Sequence, residues 1–306
     1  MNEGVKVREE AMKKQVKIIG IGIATMDIYC HKNRMYPGGN EYNIAYNTRI
    51  LGAHAGFMGV FADDRAGAIL EKTLQEAGVD TSHSHHEKGS SGYALVDLME
   101  GERVFLNWNK QGVTDLYPIQ FSEEEIEYIK GFDVACISWG ARVSQAKIRL
   151  LSENGVTICY DFYDHFTDDD IDQIAPYIKY AFFSCSHLSE EQTGRVLKKA
   201  AGLGCRIAVG TRGQLPAIAY DGSRFYKQEV CSVKATDTMG AGDAYISGFL
   251  MNYLSAAADE PDTAGDKIQN AMAKAAEYAA SVVVKEGALG IGYDVDPANL
   301  SELINL

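Results

Sequence analysis

The stretch "DTMGAGDAYISGFLMNYL", residues 237–254, joins a turn of small residues to an apolar run. Apolar residues recur in that run at near-helical spacing: Ala244, Ile246, Phe249, Leu250 and Tyr253. This spacing predicts a helix that begins within the small-residue turn. The first backbone N–H groups of a helix lack intrahelical partners, and the helix dipole favours an anion there. The stretch therefore predicts a helix N-terminus that an oxyanion or a phosphate can approach closely.

Asp243 lies at the same helix N-terminus and has two interpretations. As a general base, its carboxylate would take the proton of an acceptor hydroxyl while the neighbouring amides stabilise a transferred phosphoryl group. As a structural residue, it would be a helix-capping acid in a glycine-rich turn. The stretch alone leaves both interpretations open.

Composition narrows the classes of protein to consider. The chain has 306 residues, of which 46% are hydrophobic, and a formal net charge of −13. A negative chain is a poor ligand for nucleic acid or for an anionic membrane surface, so we expect neither partner. Six cysteines occur singly and no apolar run approaches the roughly 20 residues of a membrane span, which favours a reduced, cytoplasmic protein.

Short apolar runs alternate with amphipathic ones from Val16 onward, which is typical of an α/β fold with a mostly parallel sheet. The predicted strands are "VKIIGIGI", "AGFMGVF", "DVACISW", "VTICYDF", "YAFFSC" and "RIAVGT". The predicted helices are "NEYNIAYNTRILG", "RAGAILEKTLQEAG", "SEEEIEYIKG" and "SEEQTGRVLKKAAGLG". We expect residues 1–15 to form a loose tail and residues 16–306 a single domain.

The segment "SGYALVDLMEGERVFLNWNKQG" breaks this alternation. Its period-2 pattern around "EGE" predicts a β-hairpin, and "MDIYCHKNRMY" is an extended piece that can join it. We expect segments near 27–37 and 90–112 to form a small β-sheet lid. Its apolar residues exceed what one small sheet can cover, which favours a homodimer formed through the lids. These residues are Tyr93, Leu95, Val104, Phe105 and Leu106.

A second motif, "PGGNEYNIA", begins at Pro37. Two glycines precede a predicted helix with Asn40 as its cap, and Asn43 would lie one turn into the helix. An amide that both donates and accepts hydrogen bonds suits a polyol hydroxyl, whereas capping with a tight turn would explain the same residues. The common phosphate motifs are absent, since the sequence has no Gly-Lys dipeptide and "GIGIAT" is not a dinucleotide fingerprint.

In combination, "ATMD", "GGNEYN", "DTMGAGD" and "VVVKEGA" resemble the PfkB or ribokinase family of carbohydrate kinases over residues 16–290. The resemblance implies a ribokinase-like three-layer sandwich and transfer of the γ-phosphoryl of ATP, with Mg²⁺, to a primary sugar hydroxyl. Within the family, the chain is similar to kinases that phosphorylate Amadori-type adducts such as fructoselysine on the 6-hydroxyl. A fructokinase, a ribokinase, a nucleoside kinase or a catalytically silent sugar or nucleotide sensor remain alternatives.

The resemblance also implies roles for individual residues. Asp243 would be the catalytic base and the backbone of Gly240, Ala241 and Gly242 the anion hole. The other matched positions are Asp27, Gly39 and Asn43 for the sugar, Thr211, Gly213 and Gly287 for ATP, and Glu190 for Mg²⁺ through water. Asp237 would shape the motif loop or a monovalent-cation site.

The chain departs from the family pattern at two places, and four further residues are candidates for a role or a position. "HLSE" has His187 where the family carries Asn, and "TRGQLP" lacks a glycine usual in the nucleotide loop. Arg103 is either a contact to a substrate carboxylate or phosphate or an exposed strand residue. The acids of "YDFYD", Asp161 and Asp164, are candidates to face a substrate amine, and Trp139 in "CISWG" is expected in the core.

Overall fold

The computed structural model describes residues 15–99, 102–109, 112–256 and 264–295, with backbone alone at 98, 99, 102–105, 108 and 264–266. The strands in these ranges are β1 Lys17–Gly22, β2 Thr25–Tyr29, β3 Arg34–Gly38, β4 His54–Ala62, β5 His85–Glu87, β6 Gly92–Met99, β7 Glu102–Trp108, β8 Val134–Ser138, β9 Ile158–Asp161, β10 Tyr180–Ser184, β11 Ile207–Arg212, β12 Leu215–Tyr220, β13 Phe225–Gln228 and β14 Tyr293–Asp294. The predicted tail lies outside the described residues, apart from residue 15.

The α-helices alternate with the strands of the main sheet. They are α1 Asn40–Ile50, α2 Arg65–Ala77, α3 Val113–Leu116, α4 Glu123–Lys130, α5 Gln145–Glu153, α6 Asp168–Ile174, α7 Glu190–Gly202, α8 Ala241–Ser255 and α9 Ala264–Val283. Ser122 and Ser189 form capping boxes at the entries of α4 and α7, and Gly78 ends α2 in the left-handed conformation. All six predicted strands and all four predicted helices are confirmed.

The main sheet has nine strands in the order β13-β12-β11-β10-β9-β8-β1-β4-β5. Strands β11 through β5 in this order pair in parallel, while β12 and β13 add an antiparallel hairpin at one edge. Since parallel strands point the same way, the carboxyl ends of β1, β8, β9, β10 and β11 meet at one edge. Ligands bind at this edge in open α/β sheets.

Helices cover both faces of the sheet, because successive strand residues point to opposite sides. In β1, for example, Ile18 packs in the cluster that holds α1, α8 and α9, whereas Ile19 and Ile21 pack in the cluster that holds α4 to α7. The predicted three-layer α/β sandwich is therefore confirmed. Placement of α1 and α8 on the same face brings their N-termini together.

A second sheet has five strands in the order β14-β3-β2-β6-β7. The hairpin of β6 and β7 and the hairpin of β2 and β3 are joined by parallel pairing of β2 with β6. The predicted small β-sheet is confirmed, and it is built from the two segments named for it. It adds β14, which pairs with β3 through Tyr293 and Met35.

Candidate active site

Asp243 is the third residue of α8 and is only 9% exposed. Its carboxylate is directed at α1: Oδ1 accepts a hydrogen bond from Asn40 Nδ2 at 2.7 Å, and Oδ2 accepts one from Asn43 Nδ2 at 2.7 Å. The N-cap of α8 is Gly240, in a left-handed conformation with φ of 73°. Its partners on another helix favour a site residue over the alternative of a capping acid.

Asn40 is not a helix cap, contrary to the sequence-based expectation. Gly39 is the N-cap of α1, with φ of 117°, and a Cβ there would lie 2.4 Å from the carbonyl oxygen of Ile23. Only glycine fits that turn. Asn40 is thereby the first helical residue, and its Nδ2 donates both to Asp243 and to Asp161 Oδ2 at 2.9 Å.

The hydrogen bond between Asn40 and Asp161 was not predicted from the sequence. Asp161 ends the apolar strand β9 and is 7% exposed, so its carboxylate lies at the carboxyl edge of the sheet. It also accepts a hydrogen bond from the backbone N–H of Tyr163 at 3.0 Å. A polar residue at the end of an otherwise buried strand was the available signal.

The carbonyl oxygens Oδ1 of Asn40 and Asn43 are buried and have no hydrogen-bond partner within the described part of the chain. A Cβ on Gly38 would lie 2.7 Å from Asp27 Oδ2 and 4.0 Å from Asn43 Oδ1. Asp27, 6% exposed on β2, therefore lies close to Asn43 across Gly38. Unpaired buried acceptors are costly, so this cluster suits a ligand that brings hydroxyl donors.

The buried carboxylates perturb one another. Burial raises the pKa of Asp243 well above its ordinary value, and the negative charges of Asp161, Glu41 and Asp27 raise it further, while the hydrogen bond from Asn43 lowers it. Burial also raises the pKa of Asp161 to about 6 and that of the fully buried Glu41 to about 7. A carboxylate with a raised pKa is a stronger base than a free one.

The small residues at the start of α8 differ in what surrounds them. A Cβ on Gly240 would lie 2.6 Å from the Cβ of Ala288, whereas a Cβ on Gly242 would meet nothing within 4 Å. The backbone N–H of Ala241 donates to the carbonyl of Thr238 at 3.3 Å. The open side of Gly242 gives an anion access to the helix N-terminus.

Asp237 holds the loop in front of α8. Its carboxylate accepts hydrogen bonds from Tyr29 Oη at 2.6 Å, from the backbone N–H of Met239 at 3.0 Å and from that of Gly287 at 2.9 Å. Gly287 has φ of 64°, and a Cβ there would lie 2.4 Å from the Tyr36 ring. Asp237 thus joins the second sheet, the "DTMGAGD" loop and the Gly287 loop.

The nucleotide-side residues lie along the same edge of the sheet. Thr211 is near the end of β11 and Gly213, with φ of 64°, is in the turn that follows; β11 is two strands, about 10 Å, from β9. Glu190 is the first residue of α7, is 58% exposed and forms an ion pair with Lys227 at 2.6 Å. No hydrogen bond or ion pair among the described residues joins Glu190 to Asp243.

Three remaining residues have different outcomes. Arg103 lies in β7 opposite Leu98, but its side chain is outside the described residues. The exposed His187 does not face a carboxylate within ion-pair distance in the described part of the chain. Trp139 was expected in the core, and this is wrong: it is 46% exposed, in a short 3₁₀ turn after β8.

Neither a metal-binding cluster nor a membrane-spanning helix occurs within the described ranges. There is no group of three or more His, Cys, Asp or Glu side chains arranged to hold a metal ion. None of the described helices has the length and apolar character that crossing a membrane requires.

Comparison with known proteins places the chain in context. The model of the "pfkB family carbohydrate kinase" matches residues 14–292. Fructosamine kinase FrlD of Bacillus subtilis (strain 168) is 33% identical over 279 residues, which is 91% of this chain and 94% of that protein. Fructoselysine 6-kinase of Escherichia coli (strain K12) is 30% identical over 270 residues, or 88% and 97% of the two chains.

Solved structures agree on the fold. Fructokinase with bound ATP from Xylella fastidiosa has a TM-score of 0.72 at 18% identity, covering 90% of this chain and 94% of that one. Arabidopsis thaliana ribokinase complexed with ribose and ATP has a TM-score of 0.71 at 16% identity, with the same coverage. The three-layer sandwich with a small β-sheet is thus a ribokinase-like fold.

Proposed function

Because the chain belongs to the pfkB family of carbohydrate kinases, we propose that it transfers the γ-phosphoryl of ATP to the 6-hydroxyl of a fructosamine such as fructoselysine. The chain is an ATP-dependent sugar kinase. The observation that carries the choice of substrate is the 33% identity to a fructosamine kinase over about nine-tenths of both chains. A fructokinase or ribokinase acting on a free sugar is the alternative to be tested.

The acceptor side supplies the proton chemistry of the proposed reaction. The sugar hydroxyl lies against Asp243, whose carboxylate takes its proton as the bond to phosphorus forms. Asn40 and Asn43 each donate to one carboxylate oxygen, which fixes the direction of the carboxylate. The Oδ1 atoms of Asn40 and Asn43 accept hydrogen bonds from the sugar hydroxyls, as does the carboxylate of Asp27. Gly39 shapes the turn that holds these residues together.

The start of α8 supplies stabilisation of negative charge. We place the transferred phosphoryl group in front of the backbone N–H groups of Gly240, Ala241 and Gly242, where the helix dipole and the open Gly242 favour an anion. Thr211, Gly213 and Gly287 are proposed to flank ATP. The presence of Asp243 and of the hydrogen bonds that Asn40 and Asn43 donate to its carboxylate argues against a catalytically silent sensor.

Mg²⁺ is proposed as the metal cofactor. Mg²⁺ is usually held by one or two carboxylates and by substrate phosphates, so one exposed carboxylate such as Glu190 fits this requirement. When bound, the ion would neutralise charge on the phosphates of ATP. Activation by a monovalent cation stays a prediction, which an assay with and without K⁺ would test.

An ATP-consumption screen tests the substrate. The matched set is fructoselysine, a second fructosamine, fructose, ribose and a nucleoside, with ³¹P spectroscopy to locate the phosphate. We expect kcat/KM for fructoselysine to exceed that for fructose by at least about tenfold, which corresponds to about 1.4 kcal/mol. Equal or higher kcat/KM for fructose would overturn the fructosamine assignment and leave a free-ketose kinase.

Assembly and location are proposed from the surface and the thiols. Leu106 on β7 is 50% exposed, while Tyr93 and Leu95 pack partly against the core; the side chains of Val104 and Phe105 lie outside the described residues. We propose a homodimer that covers Leu106, and a monomer in light scattering at micromolar concentration would contradict it. All six cysteines are free thiols, which supports a cytoplasmic location.

A further inference from the structure

A surface cavity of about 340 Å³ lies between the turn after β8 and helix α6. Trp139, Arg142, Gln145, Asp170 and Gln173 are among the residues that line it. Its size is within the range of small-molecule sites, and it mixes an aromatic surface with both signs of charge. No residue assigned above to the sugar, to ATP or to Mg²⁺ lines this cavity.

The cavity adjoins the acceptor site at the end of β9, where the cavity-lining Tyr160 directly precedes Asp161. The ring of Trp139 lies 6.5 Å from the ring of Tyr163, and the backbone N–H of Tyr163 donates to Asp161. Asp161 in turn shares the amide of Asn40 with Asp243. The cavity and the acceptor site are thus neighbours at the carboxyl edge of the sheet.

The two charged residues of the cavity keep free hydrogen-bonding capacity. Arg142 donates from Nε to Asp115 Oδ1 at 3.0 Å, and its guanidinium has no other hydrogen-bond partner among the described residues. Asp170 accepts from the backbone N–H and the hydroxyl of Thr167 through Oδ2 alone. The guanidinium fork suits a carboxylate, and the second oxygen of Asp170 suits an ammonium group.

The backbone around the cavity is also unusual. Arg142 and Tyr163 both have φ of 58°, a left-handed conformation that side chains with a Cβ rarely adopt. The turn at Arg142 places its guanidinium over the Trp139 ring, with Cζ 5.9 Å from the ring centroid. Strained turns of this kind concentrate at ligand sites. They position the aromatic surface and the cation together.

We propose that this cavity binds the amino-acid end of a sugar–amine substrate, with its carboxylate on Arg142, its ammonium near Asp170 and its alkyl stem along Trp139. The inference rests on the proposed function, because a free sugar has no such end. The sugar carries the amine on C1, at the opposite end of its chain from the 6-hydroxyl. Binding at Asp243 therefore directs the amine substituent away from the reacting centre.

The test compares three substrates with one variant and one control. Fructoselysine carries the zwitterionic end, the fructose adduct of n-butylamine carries only an alkyl stem, and fructose carries neither. We expect Arg142→Gln to lower the ratio of kcat/KM for fructoselysine to that for the butylamine adduct about 10–100-fold. The control is Arg149→Gln on α5, an exposed arginine paired with Glu153 at 2.7 Å, which should leave that ratio unchanged.

A second variant separates the stem from the charge. Trp139→Ala should lower kcat/KM for both adducts more than for fructose, because both carry an alkyl stem. An Arg142→Gln variant with an unchanged ratio, or with equal losses on all three compounds, would overturn the proposal. Activity of the variant on the butylamine adduct reports that the protein is folded.

Calorimetry distinguishes failure of the cavity proposal from failure of the proposed function, because it measures binding of fructoselysine without phosphorylation. If the wild-type protein binds fructoselysine but does not phosphorylate it, the function is wrong; weaker binding by Arg142→Gln then still supports the cavity. If the wild type phosphorylates fructoselysine and Arg142→Gln binds it equally well, the function stands and the cavity proposal is wrong. Absence of fructoselysine binding to the wild type would overturn both.

Discussion

The acceptor side and the nucleotide side of the site differ in how far the protein itself completes them. Asp243, Asn40, Asn43 and Asp161 are each at most 9% exposed, and hydrogen bonds of 2.7–2.9 Å join them across more than 100 residues of sequence. By contrast, Glu190 is 58% exposed and pairs with Lys227, which is 54% exposed. The first arrangement is fixed before substrate arrives, whereas the second is a surface ion pair that water screens.

Replacement of the catalytic base, Asp243, should cause the largest loss of activity. A small loss would mean that the acceptor side is not the preorganised part of the site. Asp243→Asn keeps the size of the side chain but cannot accept the hydroxyl proton. We expect kcat to fall about 10²–10⁴-fold, or about 3–5 kcal/mol of barrier, while the sugar dissociation constant changes less than about threefold. Steady-state kinetics and calorimetry measure the two quantities. A folded variant with near-wild-type kcat would place the base elsewhere.

Buried charge on the acceptor side should reduce stability, which Glu41 tests. The pKa of Glu41 is raised from its ordinary value of 4.5 to about 7, so the folded protein holds this proton more tightly than the unfolded chain does. Stability is therefore lost as the pH rises from 4.5 to 7. We expect Glu41→Gln to raise the free energy of unfolding by about 3 kcal/mol at pH 8, with little change at pH 4.

Urea unfolding at both pH values measures this difference. Glu76→Gln on α2 is the control, because Glu76 is 64% exposed and its removal should not change the pH dependence. A destabilised Glu41→Gln variant at pH 8 would mean that the carboxylate is stabilised by contacts stronger than its burial cost. In that case the acceptor side would not carry strain from buried charge.

Sequence reasoning worked where one local pattern decides the outcome. The apolar period and the capping residues were enough to predict β1, β8 and α7. The glycines of "DTMGAGD" were enough to predict where α8 begins. It failed where distant contacts decide. Asn40 looks like a cap in sequence, yet the carbonyl of Ile23 forces Gly39 into that position and turns Asn40 toward Asp161 and Asp243.

Other elements were missed for simpler reasons. Strand β13 has only four residues and lies at the sheet edge, so neither it nor the adjoining β12 was predicted, although "DGS" at 221–223 marks the turn between them. Trp139 follows a buried strand and was assigned to the core with it. The chain turns away from the sheet immediately after Ser138, which leaves the indole 46% exposed.

Removal of the negative charge of Asp161 tests how far neighbouring carboxylates set the pKa of Asp243. Asp161 raises the pKa of Asp243, so Asp161→Asn should lower that pKa and move the acid limb of the kcat/KM profile to lower pH. Asp164→Asn, at a carboxylate 51% exposed, is the control with no shift. An unchanged limb in Asp161→Asn would mean that the charge of Asp161 does not contribute to the raised pKa of Asp243.

The smallest effect is expected on the nucleotide side, at Glu190. Its carboxylate is exposed and paired with Lys227, so a hydrated Mg²⁺ must compete with a lysine for a site that water already screens. We expect Glu190→Gln to raise the Mg²⁺ concentration for half-maximal activity by up to about tenfold and to leave the sugar dissociation constant unchanged.

Glu191→Gln is the matched control, since Glu191 is the next residue of α7 and pairs with Arg195 at 2.6 Å. Magnesium titrations of the two variants at saturating sugar and ATP decide the matter. Equal Mg²⁺ dependence in both variants would remove Glu190 from the metal site, whereas a loss comparable to that of Asp243→Asn would show that the nucleotide side is as preorganised as the acceptor side.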